Sequence, residues 1–213
     1  IDGSAFHMCG PYQFCATVYH RCCANYGAYE PGLTMHLKKL LENHPQPRVL
    51  DIGAHYGWYT LLSATLIGNR GRVFAIEPTE RIFSILKHNV EINTLTGVGL
   101  YMVPLSDRRE TVLMVSSEIT REEQRRMLST AAGSTFQPDA PVCQAVPFDD
   151  LNETENIHPN IVKMDVHGVW RKVADGMKQS LQYDIEHFYL EIDRHSGDTS
   201  NRRDDLLHVI SLL

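Results

Sequence analysis

The chain has 213 residues, of which 43% are hydrophobic and 22% are charged, a composition ordinary for a globular domain with a substantial core. Its net charge of −6 argues against nonspecific binding to nucleic acid or to an anionic membrane surface. No apolar run reaches the roughly 18 residues of a membrane span, and no signal-peptide pattern is visible. These features predict a soluble domain.

Residues 1–28 are rich in aromatic residues, cysteine and small residues, without a sustained period. We interpret them as an N-terminal cap on a domain formed by residues 29–213. Four of the five cysteines lie in this cap; they are compatible with disulfides in the secretory-pathway lumen and equally with unpaired thiols in the cytoplasm. Their spacing lacks the paired Cys-x-x-Cys pattern of zinc sites, and the histidines are scattered, so we predict no metal site.

A predicted helix opens the domain. Tyr29-Glu30-Pro31-Gly32 is a typical helix start, and His44-Pro45 ends the helix. Leucines share one face of it: Leu33, Leu37, Leu40 and Leu41. A carboxylate at Glu30 would stabilise the helix dipole from the first turn.

The next stretch, residues 48–60, predicts a strand, a tight turn and the start of a helix. Residues 49–52 are a short apolar strand, and residues 59–67 are a run long enough for a helix. Between them lies Asp51-x-Gly53-x-x-x-Gly57. Glycine is needed in such a turn where φ is positive or where a side chain would block a ligand from the backbone. The helix then presents its unpaired N–H groups to whatever occupies the turn.

The residue that opens this turn decides the ligand class. A dinucleotide fingerprint would open with glycine, whereas this turn opens with Asp51. A carboxylate repels a pyrophosphate and attracts an ammonium or a sulfonium. We therefore predict S-adenosylmethionine rather than NAD as the ligand.

A second acid supports this prediction. Residues 72–76 predict the next strand, which runs into Glu77-Pro78. In a strand–helix–strand unit, a carboxylate at this place can accept hydrogen bonds from both ribose hydroxyls. Thr79 is a suitable N-cap for the following helix, in which Ile82, Leu86 and Val90 repeat at helical spacing.

The remaining elements complete an α/β pattern. Strands are predicted at residues 99–103, 111–116, 160–165 and 186–193. A charged helix from Thr120 to about Ser129, a loop at 132–136 and a last helix at 204–213 are also expected. The 120–129 helix is either a surface insertion or a substrate lid. A core-facing stripe follows the fourth strand of the main sheet: Trp170, Val173, Ala174, Met177 and Leu181.

The ordered motifs resemble those of the FkbM-type methyltransferases. They are Tyr29-Glu30-Pro31, residues 49–60, residues 74–78, residues 103–107, residues 148–151 and residues 161–168. The resemblance spans roughly residues 27–193. It implies a Rossmann-like class I methyltransferase fold, a mostly parallel sheet with helices on both faces. The two antiparallel strands that usually complete such a sheet are expected to be missing from this chain.

The resemblance also implies a cofactor site for S-adenosylmethionine. Asp51, Gly53 and Gly57 would hold its methionine part, and Glu77 would hold the ribose. Ser106 and Asp107 would lie near the adenine, or would only form a turn. The same motifs add five further cofactor-site residues: Glu30, Ala54, Tyr59, Thr60 and Pro78.

Candidate catalytic groups follow the last two strands of the main sheet. Asp165, His167 and Glu191 are placed to accept the proton of a hydroxyl acceptor, and His195 lies at the same edge. The family commonly has Asp-x-Glu-Gly-x-Glu here, but this chain has His167 and Trp170 in place of the glutamates. His167 is a general base, or a hydrogen-bonding structural residue.

The acceptor class, a hydroxyl of a small molecule or glycan, is implied only by the resemblance. Two other functions are open. The fold could bind the cofactor without catalysing transfer, as the substitutions at His167 and Trp170 suggest, or it could serve a dehydrogenase, which Asp51 disfavours. No nucleic-acid partner is expected, and the oligomeric state is not predicted.

Overall fold

A computed structural model describes residues 7–8, 29–113, 142–166, 168–192 and 211. The helices are α1 (Pro31–Asn43), α2 (Trp58–Ile67), α3 (Glu80–Ile92), α4 (Phe148–Glu155), α5 (Trp170–Asp175) and α6 (Lys178–Tyr183), and a short 3₁₀ turn spans Gly68–Arg70. The strands are β1 (Arg48–Ile52), β2 (Arg72–Ile76), β3 (Val98–Tyr101), β4 (Glu110–Leu113), β5 (Val142–Ala145), β6 (Ile161–Met164) and β7 (His187–Leu190).

The main sheet has five strands in the order β3-β2-β1-β6-β7. Every neighbouring pair in it is parallel, as the alternation of strands and helices predicts. The strand order reverses at β1, which pairs with β2 on one side and β6 on the other. Open α/β sheets bind their ligands at such a reversal, beyond the carboxyl ends of the strands.

Helices cover both faces of this sheet, because successive strand residues point to opposite sides. On one face, Val49 packs with α1 and α2 in a cluster that includes Leu37, Leu41 and Leu62. On the other face, Leu50 packs with α4, α5 and α6 around Phe148, Val173 and Leu181. The predicted mostly parallel sheet with helices on both faces is therefore confirmed.

The apolar stripe after β6 is buried as predicted, but it belongs to two helices rather than one. The helical conformation is interrupted between α5 and α6 at Gly176, whose backbone packs against the loop after β3. A Cβ atom on Gly176 would stand 2.0 Å from the carbonyl oxygen of Ser106. Tertiary packing thus interrupts a helix that periodicity alone would continue.

A two-stranded antiparallel sheet lies beside the main one. Residues 111–113 of the strand predicted at 111–116 form part of β4, and residues 114–116 fall outside the described residues. β4 pairs with β5 in the register Val112 opposite Cys143. The strand β5 was not predicted. The 120–129 helix, the 132–136 loop and most of the cap fall outside the described residues. So does nearly all of the chain after residue 192, and the predicted lack of two final strands stays a prediction.

Among the described helices, none is both long and apolar enough to cross a membrane.

Candidate functional site

The turn between β1 and α2 is built from left-handed backbone. Gly53, His55 and Gly57 have φ of 76°, 51° and 96°, so the positive φ that the glycine pattern predicts is present. The N–H groups of Gly53 and Ala54 both donate to the carbonyl of Ile76, each at 3.0 Å. A Cβ atom on Gly53 would stand 1.9 Å from the carbonyl oxygen of Asp165. Glycine at 53 therefore lets the turn pack against the end of β6.

Glu77 joins this turn to the loop after β2. Its two carboxylate oxygens accept hydrogen bonds from the N–H of His55, at 3.1 Å, and the N–H of Thr79, at 3.0 Å. The side chain is buried, and burial raises the pKa of Glu77. Each carboxylate oxygen keeps a lone pair, so both can still accept a hydrogen bond from a ligand hydroxyl.

Asp51 lies in the middle of the sheet, opposite Lys163 in the register of β1 and β6. The Lys163 Nζ is 3.8 Å from Asp51 Oδ1, and the Thr60 hydroxyl donates to Asp51 Oδ2 at 2.6 Å. The sequence predicts an anion at Asp51, and in the structure Lys163 compensates its charge. Burial raises the pKa of Asp51, and Lys163 and Thr60 oppose that rise.

Lys163 also contacts the groups at the ends of the neighbouring elements. Its Nζ is 3.3 Å from Asp165 Oδ2 and 5.1 Å from the centre of the Tyr59 ring. The Tyr59 hydroxyl donates to Glu30 Oε2 at 2.6 Å. Lys163 therefore links the β1–α2 turn region to the carboxyl edge of the sheet, a role that its sequence pattern does not predict.

Glu30 is expected either to stabilise the dipole of α1 from its first turn or to lie near the cofactor. It occupies the N-cap position of α1 with φ of 45°, and its side chain does not cap that helix. Its carboxylate instead accepts a hydrogen bond from the Tyr59 hydroxyl. Burial raises the pKa of Tyr59, and this hydrogen bond raises it further. A contact between Glu30 and the cofactor stays a prediction.

Glu191 and Asp165 form a carboxyl pair beyond the ends of β7 and β6. The backbone N–H of Glu191 donates to the carbonyl oxygen of Met164 at 2.9 Å. This hydrogen bond holds Glu191 beside Asp165, the residue that follows Met164. Desolvation raises the pKa of Glu191, and so do the charges of Asp165 and Glu30 and a hydrogen bond with Asp165. The two acids predicted as catalytic are thus brought together; His167 and His195 lie outside the described residues.

Ser106 and Asp107 lie in the loop after β3, as expected. Ser106 is buried, and its hydroxyl lies 2.5 Å from Glu110 Oε1 and 3.1 Å from Asp107 Oδ1. Glu110 also accepts from Lys172 at 2.8 Å. These contacts are consistent with a turn-forming role, and the adenine contact stays a prediction for both Ser106 and Asp107.

The other site residues are placed as follows. Thr60 and Tyr59 are buried at the start of α2 beneath Asp51 and Lys163, and Pro78 is half-buried after Glu77. Trp170, which replaces a family glutamate, is buried in the core under β6. Within the described ranges, no group of three His, Cys, Asp or Glu side chains is arranged to hold a metal ion.

These residues fit S-adenosylmethionine chemically. Glu77 offers acceptors for vicinal hydroxyls, and the buried Asp51 Oδ1 has no hydrogen-bond partner among the described residues. Carboxylates predominate at this corner, which suits a ligand with a sulfonium and an ammonium group and disfavours a pyrophosphate. Glu77 would hold the nucleoside end of S-adenosylmethionine, and the Gly53–Gly57 turn would hold its methionine end.

Comparison with known proteins gives the family. Residues 51–192 match the model of the methyltransferase FkbM domain. A protein-L-isoaspartate O-methyltransferase of Aeropyrum pernix is 34% identical over 68 residues, 32% of this chain and 26% of that protein. The chain thus matches about a quarter of that curated relative's length.

The chain is also similar to solved structures at low sequence identity. A SAM-dependent methyltransferase from Agrobacterium tumefaciens superposes with a TM-score of 0.50 at 12% identity, over 87% of this chain and 51% of that chain. An Aeropyrum pernix fibrillarin with natively bound S-adenosyl-L-methionine gives 0.49 at 13% identity, over 84% and 63%. Because the family model matches more than half of the chain, this protein belongs to the FkbM family of S-adenosylmethionine-dependent methyltransferases.

Proposed function

We propose that this chain is an O-methyltransferase that transfers a methyl group from S-adenosylmethionine to a neutral hydroxyl of a small molecule or sugar. The observation that carries the proposal is that Asp165 and Glu191 follow the adjacent parallel strands β6 and β7 at the carboxyl edge of the sheet, where Gly53 of the β1–α2 turn packs against Asp165. The hydroxyl acceptor itself comes from the resemblance to the family.

The cofactor, when bound, supplies a methyl group on a sulfonium. The chain's own residues bind and orient it. Glu77 would accept hydrogen bonds from the ribose hydroxyls, since backbone N–H groups already hold both of its carboxylate oxygens in place. Asp51 and the turn that begins at Gly53 would receive the cationic end. When both reactants are held in alignment, a bimolecular reaction becomes an effectively unimolecular one, and the activation barrier falls.

The acceptor hydroxyl must also lose its proton, and the chain needs a base for this step. Glu191 is suited to it because its raised pKa brings the carboxyl nearer to neutral pH, where a general base is most effective. The hydroxyl proton passes to a Glu191 oxygen as the acceptor oxygen becomes nucleophilic. Asp165, on the adjacent strand, accepts a hydrogen bond from the protonated Glu191.

The charge of the site supports a neutral acceptor. Desolvation and the charges of Asp165 and Glu30 raise the pKa of Glu191, and the charge of Lys163 opposes that rise only in part. An acceptor carboxylate or phosphate would be repelled by these acids. A hydroxyl carries no charge, and its proton is attracted by the same groups.

The test has two stages. Titration calorimetry should show that the wild-type chain binds S-adenosylhomocysteine and does not bind NADH. Mass spectrometry should then show the gain of a methyl group on an alcohol or sugar from a panel that also contains carboxylic acids. Glu191→Gln should lower kcat by about 10²- to 10⁴-fold, the usual contribution of a general base, with unchanged affinity for S-adenosylhomocysteine.

Three results would contradict the proposal. Methylation confined to carboxylic acids would show that the acceptor class is wrong. Cofactor binding without transfer across the panel would favour the binding-only function. Binding of NADH in place of S-adenosylhomocysteine would exclude a methyltransferase site.

A further inference from the structure

Residues 7 and 8 of the N-terminal region are held against the end of α3 by an asparagine side chain. The backbone N–H of His7 donates to Asn93 Oδ1 at 2.6 Å, and Asn93 Nδ2 donates to the carbonyl oxygen of His7 at 2.6 Å. His7 thus exchanges both of its backbone groups with Asn93, as two residues do in a hydrogen-bonded pair of antiparallel strands. These two hydrogen bonds use only the backbone of His7, so they do not require a histidine side chain.

Asn93 links residue 7 to the interior of α3. Its Nδ2 also donates to the carbonyl oxygen of Asn89, one helical turn earlier, at 2.7 Å, so that both N–H donors of the amide are used. Asn89 is fully buried, and its own side chain donates to the carbonyl oxygen of Tyr56 at 2.8 Å. Tyr56 belongs to the β1–α2 turn, which is predicted to hold the methionine end of the cofactor. A continuous path of hydrogen-bonded groups therefore runs from residue 7 to that turn.

Met8 reaches the same turn by apolar packing. It is half-buried and packs against a cluster that includes Ala54 of the turn, Leu61 of α2 and Leu86 of α3. Methionine is flexible and fills irregular gaps between side chains of this kind. The hydrogen-bonded path and the apolar cluster therefore meet at one turn.

The backbone of this turn depends on its surroundings. Gly53, His55 and Gly57 have positive φ, and a non-glycine residue in that region is strained and persists only where neighbouring structure holds it. On the side of the sheet, Glu77 accepts a hydrogen bond from the N–H of His55. The contacts through α3 support the turn from its other neighbour.

We propose that His7 and Met8 form an N-terminal clasp, which acts through Asn93 and Asn89 to hold the β1–α2 turn in the conformation that binds the cofactor. Asn93 is then a positioning residue for cofactor binding, since it acts on the turn through Asn89. The clasp concerns the cofactor and not the acceptor, so the inference goes beyond the proposed function and applies to any methyl acceptor.

Hydrogen exchange of the Gly57 amide, measured by NMR on the full chain without cofactor, tests the clasp. This N–H donates to the carbonyl oxygen of Ala54 at 2.8 Å, so its exchange reports on opening of the turn. Asn93→Ala should speed the exchange by about 3- to 10-fold, which corresponds to the loss of about one net hydrogen bond.

Three further variants separate the clasp from general destabilisation. Asn43, at the end of α1, donates to a carbonyl of the preceding helical turn at 2.6 Å, so Asn43→Ala removes the same kind of contact from another helix. His7→Ala keeps the backbone contacts of residue 7. Neither variant should change the exchange of Gly57. Met8→Ala leaves the hydrogen bonds of Asn93 in place and should speed the exchange, and it also tests the clasp if Asn93→Ala does not fold.

Linkage gives a second measurement. If the clasp and the turn are coupled, S-adenosylhomocysteine bound at the turn must stabilise the clasp in return, and it should slow the exchange of the His7 N–H in the wild-type chain. The inference is overturned by an unchanged His7 rate on binding, by an unchanged Gly57 rate in Asn93→Ala or Met8→Ala, or by an equal rise in Asn43→Ala. Failure of the wild-type chain to bind S-adenosylhomocysteine would instead refute the proposed function, and the comparison of Gly57 rates without cofactor would still decide whether the clasp holds the turn.

Discussion

At the scale of the residue, Glu77 combines a structural and a binding role. It holds the N–H groups of His55 and Thr79, and His55 has a left-handed φ of 51° that few non-glycine residues adopt. The same carboxylate is the predicted ribose acceptor. A single buried acid thus orders both loops that would enclose the nucleoside.

Glu77→Ala should weaken the binding of S-adenosylhomocysteine by about 1.5–3 kcal/mol, through loss of hydrogen bonds to a charged group. The exposed Glu80, three residues later at the start of α3, provides the control: Glu80→Ala should leave the affinity unchanged. Calorimetry on both variants tests this. Equal affinities for Glu77→Ala and wild type would mean that Glu77 does not hold the ribose.

Gly53 is a position at which the backbone of the neighbouring strand leaves no room for a side chain. Gly53→Ala adds the strain of a left-handed alanine, about 1–2 kcal/mol, to the clash with Asp165. At Gly68 φ is also positive, 55°, but nothing lies within 4 Å of an added Cβ atom. Thermal unfolding should therefore show a much larger loss of Tm for Gly53→Ala than for Gly68→Ala. Similar losses in the two variants would show that the turn can move away from β6.

At the scale of the element, α3 fixes the geometry of the turn. Its buried Leu86 stands 2.6 Å from where a Cβ atom on Gly57 would lie, and Asn89 donates to the carbonyl of Tyr56 at 2.8 Å. The helix thus contacts two residues of the turn from outside the sheet. A rigid helix is a more precise support for a binding turn than another loop would be.

Leu86→Ala should lower the free energy of unfolding by about 2–5 kcal/mol, the usual cost of a cavity at a fully buried leucine. Ile92, at the end of the same helix, is 38% exposed, so Ile92→Ala should cost clearly less. Urea denaturation of both variants measures the difference. Comparable losses would mean that α3 does not pack as described.

At the scale of the whole molecule, Glu191 and Glu110 contribute to folding stability in opposite pH ranges. Burial and nearby acids raise the pKa of Glu191, so its contribution to stability is present at low pH and is lost as pH rises through the raised value. Hydrogen bonds from Lys172 and Ser106 lower the pKa of Glu110 to about 2. Its contribution is present above the ordinary value of 4.5 and is lost as pH falls toward 2.

Two variants should separate these effects. Glu191→Gln should lose less stability than wild type between pH 4 and pH 7, because it lacks a carboxyl whose ionisation the fold opposes. Glu110→Gln should be less stable than wild type at pH 7, with the difference shrinking as the pH approaches 2. Urea denaturation across this pH range measures both. A Glu191→Gln curve parallel to that of wild type would contradict the raised pKa.

Much of the fold was predictable because its signals are local. Residues 48–60 specify strand, turn and helix through apolar runs and two glycines, and the acid at Glu77 marks the end of the next strand. The strand β5 was missed because its four residues carry little pattern before they pair with β4. The break at Gly176 was missed because it depends on a contact with Ser106, about 70 residues away in the sequence.

The sequence by itself determined the α/β architecture, the family and the acids that end the strands, since periodicity, glycine placement and ordered motifs are properties of the chain. Only the tertiary structure decided how those acids interact. Lys163 lies 112 residues after Asp51, yet the register of β6 against β1 sets the two side by side. Charges act over a few ångströms of space rather than along the sequence, so the pairing of Asp51 and the crowding of Glu191 follow from the packing of the sheet.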